Sequence, residues 1–375
     1  MLDTIVLLIP QEKFKILDYE AFTPSAKGLF EPPFYKLEKG YMCCVQNPNK
    51  ADFEELIYKP RLTLIKNIIN GGYSVNLKIE FSAPKLLFGN NFQELEDKDF
   101  SKVAKKLRQK LKEMQIDISA KNLKNAQVKG IHYSKNIVLN APSSLVINTL
   151  GKLNISKRLD TGNTDYRNEG QAIRYHANSY EFVFYDKMQD LEQYKISEKR
   201  AIEKDNYAQY NLFTTKEIIK NEVLRMEVRL NSKRKIKEML EKVELAIPVT
   251  FQNLFKKEIS QKILLHFWDN SIAPSLSLIL LSEETAYETF YRLKNMGLKE
   301  NKILQILGAL QIIKESGLRN LKTIIEPHNF YRLQNELKKL DNNENYLYSI
   351  FKLIRADLHE MHSLQPKEIK IKALK

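Results

Sequence analysis

The chain has 375 residues, with 60 Lys and Arg against 46 Asp and Glu, and its net charge of +14 suggests a polyanionic partner. Its two cysteines, Cys43 and Cys44, are adjacent, which excludes a disulfide framework and a zinc-ligand spacing and fits a reducing, cytoplasmic setting. No apolar run approaches the roughly 20 residues of a membrane span, so no membrane association is expected.

Taken in chain order, residues 4–9 are apolar, lack a preceding basic stretch and end at Pro10, so they read as a buried strand rather than a signal peptide. After the turn signal Asn70-Gly71-Gly72, Val75, Leu77, Ile79 and Phe81 alternate with Asn76, Lys78 and Glu80, the period of a half-buried strand. Phe100, Val103, Ala104, Leu107, Leu111 and Met114 recur at helical spacing. Strands are expected at about 126–139, 171–177, 180–187 and 223–230. Residues 160–170 form a polar, turn-rich connection that either gates a substrate or merely links two strands. From about residue 275 the pattern turns helical, with Gly297 and Gly317 as stops, and residues 366–375 form a basic tail. This predicts an α+β protein: a mostly antiparallel, curved sheet with covering helices over residues 1–270, then a smaller helical domain over 271–375.

Two strand patterns bear on chemistry. In residues 181–188, side chains two apart share a face, which sets Glu181, Val183, Tyr185 and Lys187 against Phe182, Phe184 and Asp186. A phenol is a poor nucleophile at neutral pH unless a cation or metal favours its ionised form, a role open to Lys187. In residues 223–230, Leu224, Met226, Val228 and Leu230 form a core face, leaving Arg225, Glu227 and Arg229 on the other. That acid between two arginines is either a surface ion-pair ladder or a metal-binding carboxylate with two phosphate-gripping guanidiniums. Arg174 and His176 share a face in the 171–177 strand, and the histidine is either a base or a structural residue. His359 and His362 lie in a helical tail, and no pair of histidines brackets an apolar residue. The basic clusters at 105–110 and 233–237 read first as solvated helix faces.

Four stretches in order carry a resemblance. They are Phe81-Ser82-Ala83-Pro84-Lys85-Leu86-Leu87-Phe88-Gly89-Asn90-Asn91, then Asn125-Ala126-Gln127-Val128-Lys129-Gly130-Ile131-His132, the Tyr185-Asp186-Lys187 strand, and the Arg225-Met226-Glu227-Val228-Arg229 strand. Over residues 75 to 231 the chain resembles the gene II replication initiators of filamentous phages and the related rolling-circle plasmid initiators. The resemblance implies that Tyr185 is the nicking nucleophile with Lys187 beside it. It also implies that Glu227 and Asp190 ligate a divalent metal, Mg²⁺ or Mn²⁺. One departure stands out: this chain has Gly130-Ile131-His132 where those proteins have Arg-Ile-Asp. His132 is therefore either a third ligand, suited to Mn²⁺ more than to Mg²⁺, or a hydrogen-bonding residue of the sheet.

The expected activity is a metal-dependent, site-specific single-strand DNA endonuclease and strand transferase that starts rolling-circle replication of a phage or plasmid. Arg225, Arg229, Arg174, Lys85 and Asn91 are the expected DNA contacts. A host helicase and polymerase in a bacterial cytoplasm are the expected partners, and a homodimer is compatible. A non-catalytic origin- or operator-binding protein and a nuclease that uses water are the two alternatives.

Overall fold

The computed structural model describes residues 1–30, 41–55, 57–69, 72–153, 172–192, 222–282, 284–338 and 346–365. Residues 160–170 and the tail from 366 fall outside that set. The described chain mixes helix and strand around one large antiparallel sheet of eight strands, in the order β3-β4-β5-β1-β7-β10-β9-β8. These are β1 (Leu2–Pro10), β3 (Tyr41–Gln46), β4 (Arg61–Ile69), β5 (Gly72–Ser82), β7 (Gln127–Leu139), β8 (Ala172–His176), β9 (Tyr180–Asp186) and β10 (Glu222–Leu230). A second ladder pairs β2 (Phe14–Ile16) with β6 (Ile116–Ile118). Strands β1, β5, β7, β8, β9 and β10 lie close to the expected positions; burial alternates along β1 and β5, whereas most of β7, β9 and β10 is buried on both faces.

One sheet face is apolar. Ile5 and Leu7 of β1, Ile79 and Phe81 of β5, Tyr133 of β7, Phe182 and Phe184 of β9 and Met226 and Val228 of β10 are all buried there in one continuous core. Helix α3 (Phe100–Glu113) joins this core through Val103, Ala104, Leu107 and Leu111, the stripe its periodicity predicts. Its Phe100 packs on Phe251, which packs in turn on Phe81. The single tryptophan, Trp268, stacks between Phe184 of the sheet and Phe351 of helix Tyr346–Glu360. The same apolar cluster therefore runs from the sheet into the helices beyond residue 270. Gly297 and Gly317 interrupt those helices as expected, each with positive φ (81° and 82°), a conformation that suits glycine. Gly317 breaks the helix Glu300–Ile324, and Leu318 N–H then donates to the Lys152 carbonyl at 3.0 Å.

The opposite, polar face is covered where it matters most. Helix α2 (Ala83–Phe88) ends at Gly89 in the left-handed conformation, φ 75°, after which Asn90 Oδ1 accepts from the Phe92 and Gln93 N–H groups at 3.1 and 2.8 Å. This turn carries residues 91–94 along the exposed end of β7. The Phe92 carbonyl accepts from Asn136 Nδ2 at 2.7 Å, and Glu94 accepts from Asn136 N–H at 2.8 Å. Glu94 also accepts from Lys135 Nζ at 3.2 Å and from Leu364 N–H at 2.9 Å. A carboxylate thus does the work of a neighbouring strand on β7 just beyond the start of β1. Burial, the largest influence, would raise the Glu94 pKa, but Lys135, the Met1 ammonium 3.5 Å away, and the Leu364 and Asn136 N–H groups outweigh it and hold the carboxyl at about 2.

An unfolded glutamate titrates near about 4.3, above the folded value, so this stabilisation is fully present above that range and is lost as pH falls toward 2. The span corresponds to up to about 3 kcal/mol. Glu94→Gln is expected to lower stability near neutral pH and to flatten its decline in acid, read from urea midpoints between about pH 6 and about pH 3. Parallel acid profiles for the two proteins would contradict the assignment.

Candidate active site

Pairing in the sheet assembles the site from three adjacent strands. Arg225 of β10 lies opposite Asn136 of β7 and Tyr185 of β9, and Arg229 lies opposite His132 and Glu181. Directly opposed residues share a face, so these side chains and those of Glu227 and Ser134 line up on the polar face. Arg174 of β8 joins them through its pairing with Val183.

At the centre, the Tyr185 hydroxyl donates to Glu227 Oε2 at 3.4 Å. Arg229 donates to both oxygens of Glu227, from Nε at 3.0 Å and Nη2 at 3.2 Å, and His132 Nδ1 lies 3.3 Å from Oε1. Glu227 is only 2 % exposed. Burial, the largest influence, would raise its pKa, but Arg229, His132 and Arg225 together hold it well below the usual carboxylate range. Tyr185 responds oppositely. Burial first, then the Glu227, Asp190 and Asp3 carboxylates, push its phenol well above the usual value against the pull of Arg225. The phenol is therefore protonated at neutral pH, and Glu227 accepts its hydrogen bond.

The expectation that Tyr185 and Lys187 stand on one strand face is corrected. Strand β9 ends at Asp186, and Lys187 opens helix α6 (Lys187–Glu192). Asp186 Oδ1 accepts from the Met188 and Gln189 N–H groups at 2.8 and 3.0 Å, which caps the helix and turns the chain. That cap was readable in the sequence, as an aspartate ahead of a short helical run. Lys187 nonetheless stays beside the tyrosine, with Nζ 5.7 Å from the ring centroid. It is fully buried and donates to Asn91 Oδ1 at 2.7 Å and Asp190 Oδ2 at 2.9 Å. Its burial lowers its pKa against the opposing influence of Asp190.

The polar face is also less open than its alternation suggests. Arg225 is 2 % exposed and donates to the Asn91 carbonyl (2.7 Å), Ser134 Oγ (2.8 Å) and Asn136 Oδ1 (3.3 Å). Its fourth partner is Asp3 Oδ2 at 3.3 Å. Asn91 and Lys85 are likewise buried, and the Asn91 side chain and carbonyl serve Lys187 and Arg225. Arg229 and Arg174, at 28 % and 26 % side-chain exposure, reach solvent and share Glu181, at 3.3 and 3.5 Å. His176 sits on the same strand face opposite Glu181, His359 lies in the last turn of its helix, and His362 lies beyond that helix.

Asp3, Ser134, Asn136 and Glu181 complete the cluster but carried no assigned role in the sequence. The period-two continuation of His132 to Ser134 and Asn136 is the signal that could have found two of them. Glu227 and His132 fit as two donors to a borderline cation, an oxygen and a nitrogen already directed at each other, whereas Asp190 is engaged by Lys187. Among the described residues, no three His, Cys, Asp or Glu side chains converge as a metal-binding group. Among the same residues, no helix is long and apolar enough to cross a membrane.

Comparison with protein-family models, characterised proteins and solved structures finds no match, so the functional argument rests on the residues themselves.

Removing Arg225 would leave Asp3 and the Asn91 carbonyl buried without their cation. Arg225→Ala is therefore expected to cost about 3–5 kcal/mol, and Arg174→Ala, at a half-exposed pair, about 1 kcal/mol or less. Chemical denaturation of both variants tests the contrast, and equal losses would show that Arg225 is not the organising charge.

Proposed function

We propose that this chain is a replication initiator that nicks and rejoins one DNA strand through Tyr185, starting rolling-circle replication of a phage or plasmid. The observation that carries the reading is the Tyr185 hydroxyl aligned on a buried carboxylate inside a ring of cations. It joins the four-motif resemblance to the gene II initiators, since the Tyr185 and Glu227 that resemblance singles out lie within hydrogen-bonding distance.

In this reading a scissile phosphate approaches from the solvent-reaching side of Arg229. As the phosphate draws Arg229 toward itself, Glu227 loses part of the charge that depresses its basicity, so it becomes a better proton acceptor when a nucleophile is needed. Tyr185 Oη gives its proton to Glu227 and bonds to phosphorus. The bond from phosphorus to the 3′-oxygen breaks, and that oxygen leaves as a hydroxyl after taking a proton from water. The product is a 5′-phosphotyrosine with a free 3′-hydroxyl for a host polymerase. Bond energy is retained in the phosphotyrosine, so attack by a 3′-hydroxyl reverses the step and rejoins the strand without ATP. Arg229 meets the charge that builds on the phosphoryl oxygens, while Lys187 and Arg225 hold the ring and the loop around it. A divalent cation held by Glu227 and His132, with Asp190 as a further candidate, would supply Lewis-acid polarisation of the phosphate.

Residues 1–270 would form the nicking unit and 271–375 a helical domain suited to docking DNA or a host helicase in a bacterial cytoplasm. Incubation with single-stranded DNA of the chain's own genetic element and Mn²⁺ or Mg²⁺ should yield a protein–DNA adduct on a denaturing gel. Tyr185→Phe should abolish the adduct, and Glu227→Gln should slow it by about 10²- to 10⁴-fold. Cleavage without an adduct would make water the nucleophile, and binding with neither would leave a non-catalytic origin-binding protein.

A further inference from the structure

Helix α3 buries one face and leaves the other rich in cations. Ser101, Lys105, Arg108 and Lys112 recur at spacings of four, three and four, which stacks them along one outward stripe. Across from the stripe lies helix α4 (Ala120–Lys124), and between the two runs a groove of about 450 Å³ lined by Lys105, Arg108, Gln109, Lys112, Lys124 and Ser101. The buried Ala104 and Leu123 form its floor. Arg108 donates from Nε to the Ile118 carbonyl at 2.9 Å, which anchors the guanidinium at the groove.

Two of the flanking lysines of α3 are already engaged. Lys106 Nζ donates to the Leu87 carbonyl at 3.3 Å, and Lys110 pairs with Glu113 at 2.6 Å. Glu113 is further occupied by Gln109 Nε2 at 3.2 Å. Among the described residues, Lys105, Lys112 and Lys124 have no carboxylate partner. No acid lines the groove, so a row of like charges is held together with nothing inside the fold to neutralise it.

We propose that this groove binds the phosphodiester backbone of duplex DNA, at a place separate from the nicking face. The lining decides the class of partner. It contains no aromatic ring, so unpaired bases have no stacking platform. It offers no exposed apolar anchor of the kind a protein interface needs at its centre. Cationic and amide donors without base-reading geometry suit phosphate contacts, which position a duplex rather than specify its sequence. The groove also lies on the apolar-face layer: α3 reaches the sheet through Phe100, Phe251 and Phe81, on the opposite face from Tyr185. The inference rests on the nicking reading only for DNA being the target, and it gives that reading a second contact that would hold the duplex beside the nicked strand.

Because backbone binding is independent of sequence, the test needs no origin. The full chain is titrated against a fluorescein-labelled duplex of mixed sequence over a range of salt concentrations, and the slope of log affinity against log salt is compared between variants. Lys105→Gln, Lys112→Gln and Lys124→Gln combined should flatten that slope by up to about 2.7, since each lost phosphate contact contributes about 0.9. Low-salt affinity should fall on the order of tenfold or more. A charge-matched control changes Lys237, Lys262 and Lys294, which are already paired with Glu241, Glu258 and Glu300, and should shift the slope far less. All six positions are on helix or groove surfaces, and thermal melts confirm that both variants fold.

Equal slope changes in the two variants, or none in the groove variant, would overturn the proposal. A change with double-stranded RNA and none with DNA would overturn it in favour of an RNA ligand. Adduct formation on a short single-stranded oligonucleotide is measured alongside. An adduct with an unmoved slope leaves nicking standing and removes the groove, whereas a flattened slope with no adduct does the reverse.

Discussion

A guanidinium buried in the middle of a β-sheet is the constraint around which the rest of this structure is arranged. Arg225 has almost no contact with water, so its charge must be met inside the fold. It is met from four directions: Asp3 at the start of β1, the Asn91 carbonyl after helix α2, and Ser134 and Asn136 on β7. A planar fork of donors can satisfy such divergent acceptors at once, which the single ammonium of a lysine cannot. Segments separated by more than a hundred residues in sequence are thereby brought to one point.

The same charge orders the chemistry beside it. Arg225 and Arg229 stabilise Glu227 as an anion, and that anion, with Asp190 and Asp3, helps to keep Tyr185 protonated. The arrangement holds a protonated phenol against an ionised carboxylate. Of the two arginines that flank Glu227 on β10, Arg229 reaches solvent and Arg225 does not.

The turn at residues 89–94 is the structural counterpart of that charge network. Gly89 ends a helix, Asn90 folds the turn, Asn91 serves Lys187 and Arg225, and Glu94 completes the edge of β7. Asn91, expected as a DNA contact, instead lies in a turn that covers the polar face. On the other side, Trp268 spans from the sheet to the late helices, so the two faces of the sheet are closed by different means: hydrogen bonds on one, aromatic packing on the other.

Alternation alone determined which residues of 223–230 share a face, because the side-chain period of a strand is two whatever surrounds it. The same local rule set Phe182 and Phe184 into the core and made α3 amphipathic, and turn chemistry marked Gly297 and Gly317 as breaks. Strands β3 and β4 went unread although they form one edge of the sheet. Tertiary structure decided what the polar face became. Register brought His132 and Tyr185 to Glu227, the Asp186 cap took Lys187 off its strand, and the 89–94 turn buried Arg225, Asn91 and Lys187. None of this follows from period or composition, since burial of a charge depends on partners that arrive from distant parts of the chain.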